Sequence, residues 1–228
     1  MFSENELKNI YLDRIRDLNQ ELFECLGFQG WWPTTVRAGE PPKYHCEREG
    51  KKVSVRESFE IIVGAILTQN TAWKNVEKAI MNLTKLGRLE LNMIASARGK
   101  WLEEAVRPSG YFRQKAERLK RTAIAIKKSG GIKELSKIDT LELRKLLLSW
   151  HGFGFETADS VLCYAFSRPI FVVDAYTKRL FDERKLPFKN YDDIQNAVHS
   201  ALPASAGLYG DFHARIVKYF VSRREAVK

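Results

Sequence analysis

The sequence predicts an all-α fold, and three observations predict it. Residues 4–26 carry Leu7, Tyr11, Ile15, Leu18 and Leu22 at spacings of three and four, which is one face of a helix. From Glu57 onward, helical patterns follow one another along the chain. Only residues 34–56 change character, with Pro41-Pro42 and many charges, and they permit at most a small β-hairpin near residues 43–56.

The N-terminal helix ends at Gly27 and Gly30, and Trp31-Trp32-Pro33 follows at once. In the irregular stretch, Tyr44 to Arg48 and Lys52 to Val55 are the segments that could pair around Glu49-Gly50. Phe59 to Thr68 is apolar and reads as a buried helix, and Trp73 to Leu86 reads as an amphipathic one. Leu89 to Ala97 and Trp101 to Val106 are shorter. Tyr111 to Lys128 is given a basic outer face by Lys115, Arg118, Lys120, Arg121, Lys127 and Lys128. Further helices are expected at 140–149, 155–167, 175–184 and 191–201, with a long one within 207–226. There is no internal repeat and no low-complexity segment.

Composition narrows the function. The chain has 228 residues and 44% hydrophobic content, enough for one large domain or two lobes. No apolar run approaches the ~18 residues of a membrane span. The first residues are polar and acidic, unlike a signal peptide. Cys25, Cys46 and Cys163 are too few and too scattered for a disulfide framework or a zinc site. Cys25 and Cys163 lie in apolar helical patterns and are expected in the core. A reducing, cytoplasmic location is therefore expected, nucleoid-associated if the source is prokaryotic. The net charge of +10 favours a polyanionic partner, because each neutralised phosphate releases counterions.

The most informative stretch is His151-Gly152-Phe153-Gly154, a turn between the patterns Leu141 to Trp150 and Phe155 to Phe166. Its glycines let backbone N–H groups approach a phosphate closely. Asp174 then closes the short apolar run Phe171-Val172-Val173. This is a pattern for gripping a nucleic-acid backbone and acting nearby. The plainer alternative is an ordinary helix-turn-helix followed by an aspartate helix cap.

These residues resemble the helix-hairpin-helix plus Gly/Pro-Asp motif of the endonuclease III superfamily of DNA glycosylases. That motif is a hairpin of the form hydrophobic-Pro-Gly-hydrophobic-Gly, a helix opening with Thr-Ala, and an aspartate about one helix and one turn later. Thr157-Ala158 and Asp174 fit, and His151 stands where the family usually has proline. Leu67-Thr68-Gln69-Asn70-Thr71 and Gly110-Tyr111-Phe112-Arg113-Gln114-Lys115-Ala116 resemble two further family segments, so the likeness runs from about residue 57 to 185. It implies two helical lobes with an active cleft between them. Residues 57–165 would form a helical barrel carrying the hairpin, residues 1–33 and 166–228 a second lobe, and 34–56 an inserted loop or hairpin. Many relatives end in four cysteines that hold an iron–sulfur cluster, but here no cysteine follows Cys163. With Trp31-Trp32-Pro33 and Phe212-His213-Ala214-Arg215, this resembles the clusterless 3-methyladenine glycosylase branch. No cofactor is implied, although hairpin carbonyls in this superfamily can hold a monovalent cation.

The resemblance also assigns roles. Asp174 would be catalytic, stabilising an oxocarbenium-like sugar and orienting water. Glu156 occupies the place where bifunctional relatives carry a Schiff-base lysine, and a carboxylate cannot form an imine. Trp31, Trp32, Pro33 and Trp73, with Glu156, are the candidate base pocket, since a flipped base needs aromatic faces and a cationic base favours them. At least one of these tryptophans is expected in the core. Gly152, Phe153, Gly154, Thr157, Lys178 and Gln69 are the candidate DNA contacts. Gln69 would either fill the gap left by a flipped base or be a plain polar helix end. Arg107 and Lys115 are further candidate phosphate contacts, while Glu60, His213 and Arg215 receive no firm role. The expected partner is double-stranded DNA containing a damaged base, bound by a monomer with no membrane attachment. Three functions stay open: a monofunctional glycosylase for alkylated purines, chiefly 3-methyladenine; a glycosylase for a deaminated or mismatched base; and a non-catalytic DNA-binding module.

Overall fold

A computed structural model describes residues 4–46 and 53–225. Its regular structure is helical: α1 (Glu4–Leu26), α2 (Val55–Leu67), α3 (Trp73–Lys85), α4 (Leu91–Ala95), α5 (Trp101–Val106), α6 (Phe112–Lys128), α7 (Ile132–Leu135), α8 (Thr140–Leu148), α9 (Phe155–Ser160), α10 (Ala175–Glu183), α11 (Tyr191–Ala201) and α12 (Ala206–Glu225). A 3₁₀ turn at Arg107–Ser109 precedes α6, and α9 continues as a π-helical turn at Val161–Ala165. The one β-feature among the described residues is an isolated antiparallel bridge between Thr34 and Lys43. The hairpin sketched around Glu49-Gly50 falls outside the described residues. No helix among the described residues is long and apolar enough to cross a membrane.

The chain divides into two compact units. The larger holds Trp32–His45 and the stretch from α2 to Ser167; the smaller holds α1, Trp31 and everything from Arg168 onward. In the larger unit, α2 is the central helix and packs against α3, α6, α7 and the π-helical turn. It is buried from Glu57 to Leu67, as its apolar run requires. It begins four residues before the expected start, because Ser54 and Glu57 form a reciprocal capping box. The helix expected from Tyr111 starts instead at Phe112, with Tyr111 as a left-handed cap at φ 44°.

In the smaller unit, α12 lies against α1 and α10, and α11 against α1. Ile15, Leu22, Phe181 and Phe212 fill its core with Phe171. Cys25, expected in this core, lies off the apolar stripe of α1 and is exposed, whereas Cys163 is buried in the larger unit. The run Phe171-Val172-Val173 is fully buried, yet it is not a strand. The Phe171 N–H donates to His199 Nε2 at 2.9 Å, and the Gln195 amide donates to the Phe171 carbonyl at 2.7 Å. Side chains of α11 thus satisfy the buried backbone that a neighbouring strand would otherwise serve. They also fix the approach to Asp174.

Candidate active site

Asp174 is the N-cap of α10. Its Oδ1 accepts from the Thr177 N–H at 2.7 Å and from the Thr177 hydroxyl at 2.9 Å, while Oδ2 lies 3.5 Å from His213 Nε2. Burial pushes the carboxyl pKa up. The hydrogen bond and charge of His213, with the two bonds from Thr177, outweigh that and leave it below the usual carboxylate range. An anionic carboxylate at a helix N-terminus is also favoured by the helix dipole. Its side chain is 13% exposed, so it is sheltered but reachable. Lys178, one turn into the helix, is exposed. Arg215 is 2% exposed; it pairs with Asp211 at 2.9 Å and donates to the carbonyl of Asn19, so it fastens α12 to α1 and is no surface contact.

The hairpin belongs to the larger unit. Gly152 has φ +82°, a backbone conformation that favours glycine, and a Cβ there would displace the flexible end of Arg118. Phe153 is buried and meets Trp150 edge-on, which pins the turn. Gly154 is the extended N-cap of α9 with open space around it. A bidentate pair, Arg144 Nε to Asp159 Oδ1 at 2.7 Å and Nη2 to Oδ2 at 2.9 Å, ties α8 to α9 across the turn. Glu156 is exposed in the first turn of α9.

Gln69 is neither a loose helix end nor a free amide. Its Nε2 donates to the Gly152 carbonyl at 3.2 Å and to the Thr157 hydroxyl at 2.9 Å, and its Oε1 accepts from Arg118 Nη1. It straps the loop after α2 to the hairpin. Lys115, expected on the outer basic face, is 3% exposed and donates to the Leu67 and Ser109 carbonyls, and it contacts no phosphate from there. Arg121, Lys127 and Lys128 do lie on the exposed face of α6.

Trp32 and Trp73 come together in the larger unit, 5.4 Å apart and perpendicular; Tyr164, which the sequence did not point to, joins them 5.3 Å from Trp32. Trp32 is buried and Trp73 half-buried. Pro33 is buried beside Trp32 in sequence, and Trp31 is half-buried in the smaller unit. Glu60 is 2% exposed, and its Oε1 accepts from the Thr35 N–H at 2.7 Å and hydroxyl at 2.6 Å. Burial raises its pKa, opposed by these bonds and by Arg56. Glu60 therefore anchors the chain after Pro33. Tyr111, given no role of its own from the sequence, has a ring 68% exposed on a left-handed cap, held out by the backbone rather than packed.

A helical fold, a glycine hairpin and a helix-capping aspartate downstream define a class, and comparison identifies it. The chain belongs to the HhH-GPD superfamily of base excision DNA repair proteins, whose pattern matches residues 63–203. It is 39% identical over 95% of its length to a Methanocaldococcus jannaschii protein provisionally named a DNA repair glycosylase, covering 89% of that protein. It is 28% identical to the endonuclease III of Thermotoga maritima, over 72% of this chain and 73% of that one. Among solved structures it is similar to the H. pylori 3-methyladenine DNA glycosylase bound to 1,N6-ethenoadenine. That match has TM-score 0.72 and 26% identity, over 93% of this chain and 98% of the other.

Proposed function

We propose that this protein is a monofunctional DNA glycosylase that excises alkylated purines, 3-methyladenine above all, by hydrolysis of the N-glycosidic bond. The observation that carries this reading is Asp174: a sheltered carboxylate held ionised in the family's motif. A base alkylated at N3 carries positive charge and leaves as a neutral molecule, taking the bonding electron pair with it. It needs no proton from the protein. The sugar left behind is cationic at C1′. Asp174 stabilises that cation and accepts a proton from the water that bonds to C1′. No lysine stands at position 156, so the covalent route through an imine has no amine there.

The base preference draws on the aromatic residues. Trp73 is half-buried and keeps ring surface for a flipped base, and buried Trp32 backs it. A ring face attracts a cationic base more than a neutral one. Similarity to the H. pylori enzyme supports the same lesion class. The exposed hairpin glycines and the cationic face of α6 serve the duplex.

One experiment tests the whole reading. Methylated and deaminated DNA are incubated with the protein and the released bases identified by mass spectrometry, with borohydride present in a parallel reaction on end-labelled duplex. The expected result is release of 3-methyladenine, strands that break only after hot alkali, no trapped adduct, and a loss of ~10²-fold or more in Asp174→Asn. Release of deaminated bases alone, a borohydride-trapped complex, or an active Asp174→Asn protein would each overturn the corresponding part.

A further inference from the structure

We propose that His213 is the positioning residue of Asp174; this rests on the reading that Asp174 acts at the sugar. A carboxylate that must face a developing cation has to be fixed in rotation and kept ionised. Thr177 fixes one oxygen, Oδ1, with two bonds from within α10. The other oxygen, Oδ2, has His213 Nε2 3.5 Å away, reaching in from α12. Without a donor on that side, Thr177 leaves the carboxylate plane free to swing about Oδ1. A ring nitrogen from a second helix defines the plane and adds favourable charge when protonated.

The surroundings hold the imidazole to this task. His213 is 7% exposed. Two residues before it, Asp211 accepts from the Gln29 N–H at 2.8 Å; two residues after it, Arg215 donates to the carbonyl and side chain of Asn19. Asp211 and Arg215 also pair with each other at 2.9 Å. Both anchors fix the rotation of α12 about its axis, and with it the direction in which His213 points. Of the charged groups on the helices packed here, α10 supplies Asp174 itself and, one turn on, the exposed Lys178, while α12 supplies His213 and the mutually paired Asp211 and Arg215.

The test is single-turnover excision from alkylated duplex across acidic to neutral pH, with duplex affinity measured alongside, for wild type, His213→Ala, His213→Gln and Asp174→Asn. His213→Ala is expected to slow excision about tenfold or more, the rate equivalent of one hydrogen bond to a charged group. Its duplex affinity should be unchanged. Its acid limb should move to higher pH, because Asp174 loses the partner that holds its pKa down. His213→Gln keeps a neutral donor and is expected to recover most of the neutral-pH rate. An unchanged rate and acid limb in His213→Ala, with Asp174→Asn inactive, would overturn this proposal alone. So would His213→Gln as slow as His213→Ala with neither acid limb moved, which would make the ring mere packing. A fully active Asp174→Asn would overturn both this proposal and the reading beneath it.

Discussion

Lys115 places an amine where water cannot reach. It donates to the Leu67 carbonyl at 2.9 Å and the Ser109 carbonyl at 2.6 Å, joining the end of α2 to the turn before α6. Burial, and then the charge of Arg118, push its pKa down to about 8. A neutral amine still carries two N–H groups, enough for both carbonyls. The folded-state value lies below the ordinary 10.5, so below pH 8 the folded protein carries a charge it disfavours. Between about 8 and 10.5 the unfolded chain keeps a proton the folded one has released, and stability rises with pH. The stability of wild type relative to Lys115→Met should therefore grow across that window in urea unfolding, and a flat difference would contradict the assignment. Sequence periodicity placed this lysine on the polar face of α6. Nothing in the order of residues shows that two helix-end carbonyls wait beneath it.

At the scale of the element, α2 is shaped to receive an indole. A Cβ on Gly64 would stand 2.9 Å from Trp32 Nε1 and 3.1 Å from Cζ2, and a rigid bicyclic ring cannot fold away. Gly64→Ala should shift Trp32 and destabilise the protein by roughly 1–3 kcal/mol. Excision of alkylated bases should fall with it, because Trp32 backs Trp73. The double variant Gly64→Ala/Trp32→Phe removes the clashing indole atoms and should show a favourable coupling in the unfolding cycle. Additive losses would show that the helix, and not the ring, resents the new methyl. The helix itself was legible from its apolar run, and its true start was also available in Ser54-Val55-Arg56-Glu57, a capping-box pattern left unread. Two things were not legible. Residues 155–167 read as one continuous helix, and nothing in them marks the change to π geometry at Val161. Tyr164 reads as one more core aromatic until the fold sets it against Trp32.

For the molecule as a whole, the net charge of +10 predicts how it meets DNA. Affinity for undamaged duplex should drop at least about tenfold between roughly 50 and 200 mM monovalent salt, as two or more phosphate contacts require. On the proposed function, discrimination of an alkylated over an intact site should change far less, because base contacts and not phosphate contacts would supply it. A salt-independent affinity would remove the electrostatic account. The motif residues Gly152, Gly154 and Asp174 were legible because their spacing is local. His213 was not, since nearly forty positions of chain separate it from the aspartate it faces. Trp31 and Trp32 show the same limit: neighbours in sequence, they fall into different units.

The packing of α1 against α11 and α12 imposes an order on biosynthesis. The ribosome releases α1 early, with the stripe of Ile15, Leu18 and Leu22 that ends up buried. The helices that cover it begin only at Tyr191 and Ala206. The larger unit, whose helices are nearly contiguous in sequence, can close while α1 still waits. The nascent chain therefore exhibits its hairpin and its Trp32–Trp73 pair well before Asp174 meets His213. The hairpin and the aromatic pair are complete first, and the carboxylate proposed to act at the sugar acquires its second partner only once α12 has emerged.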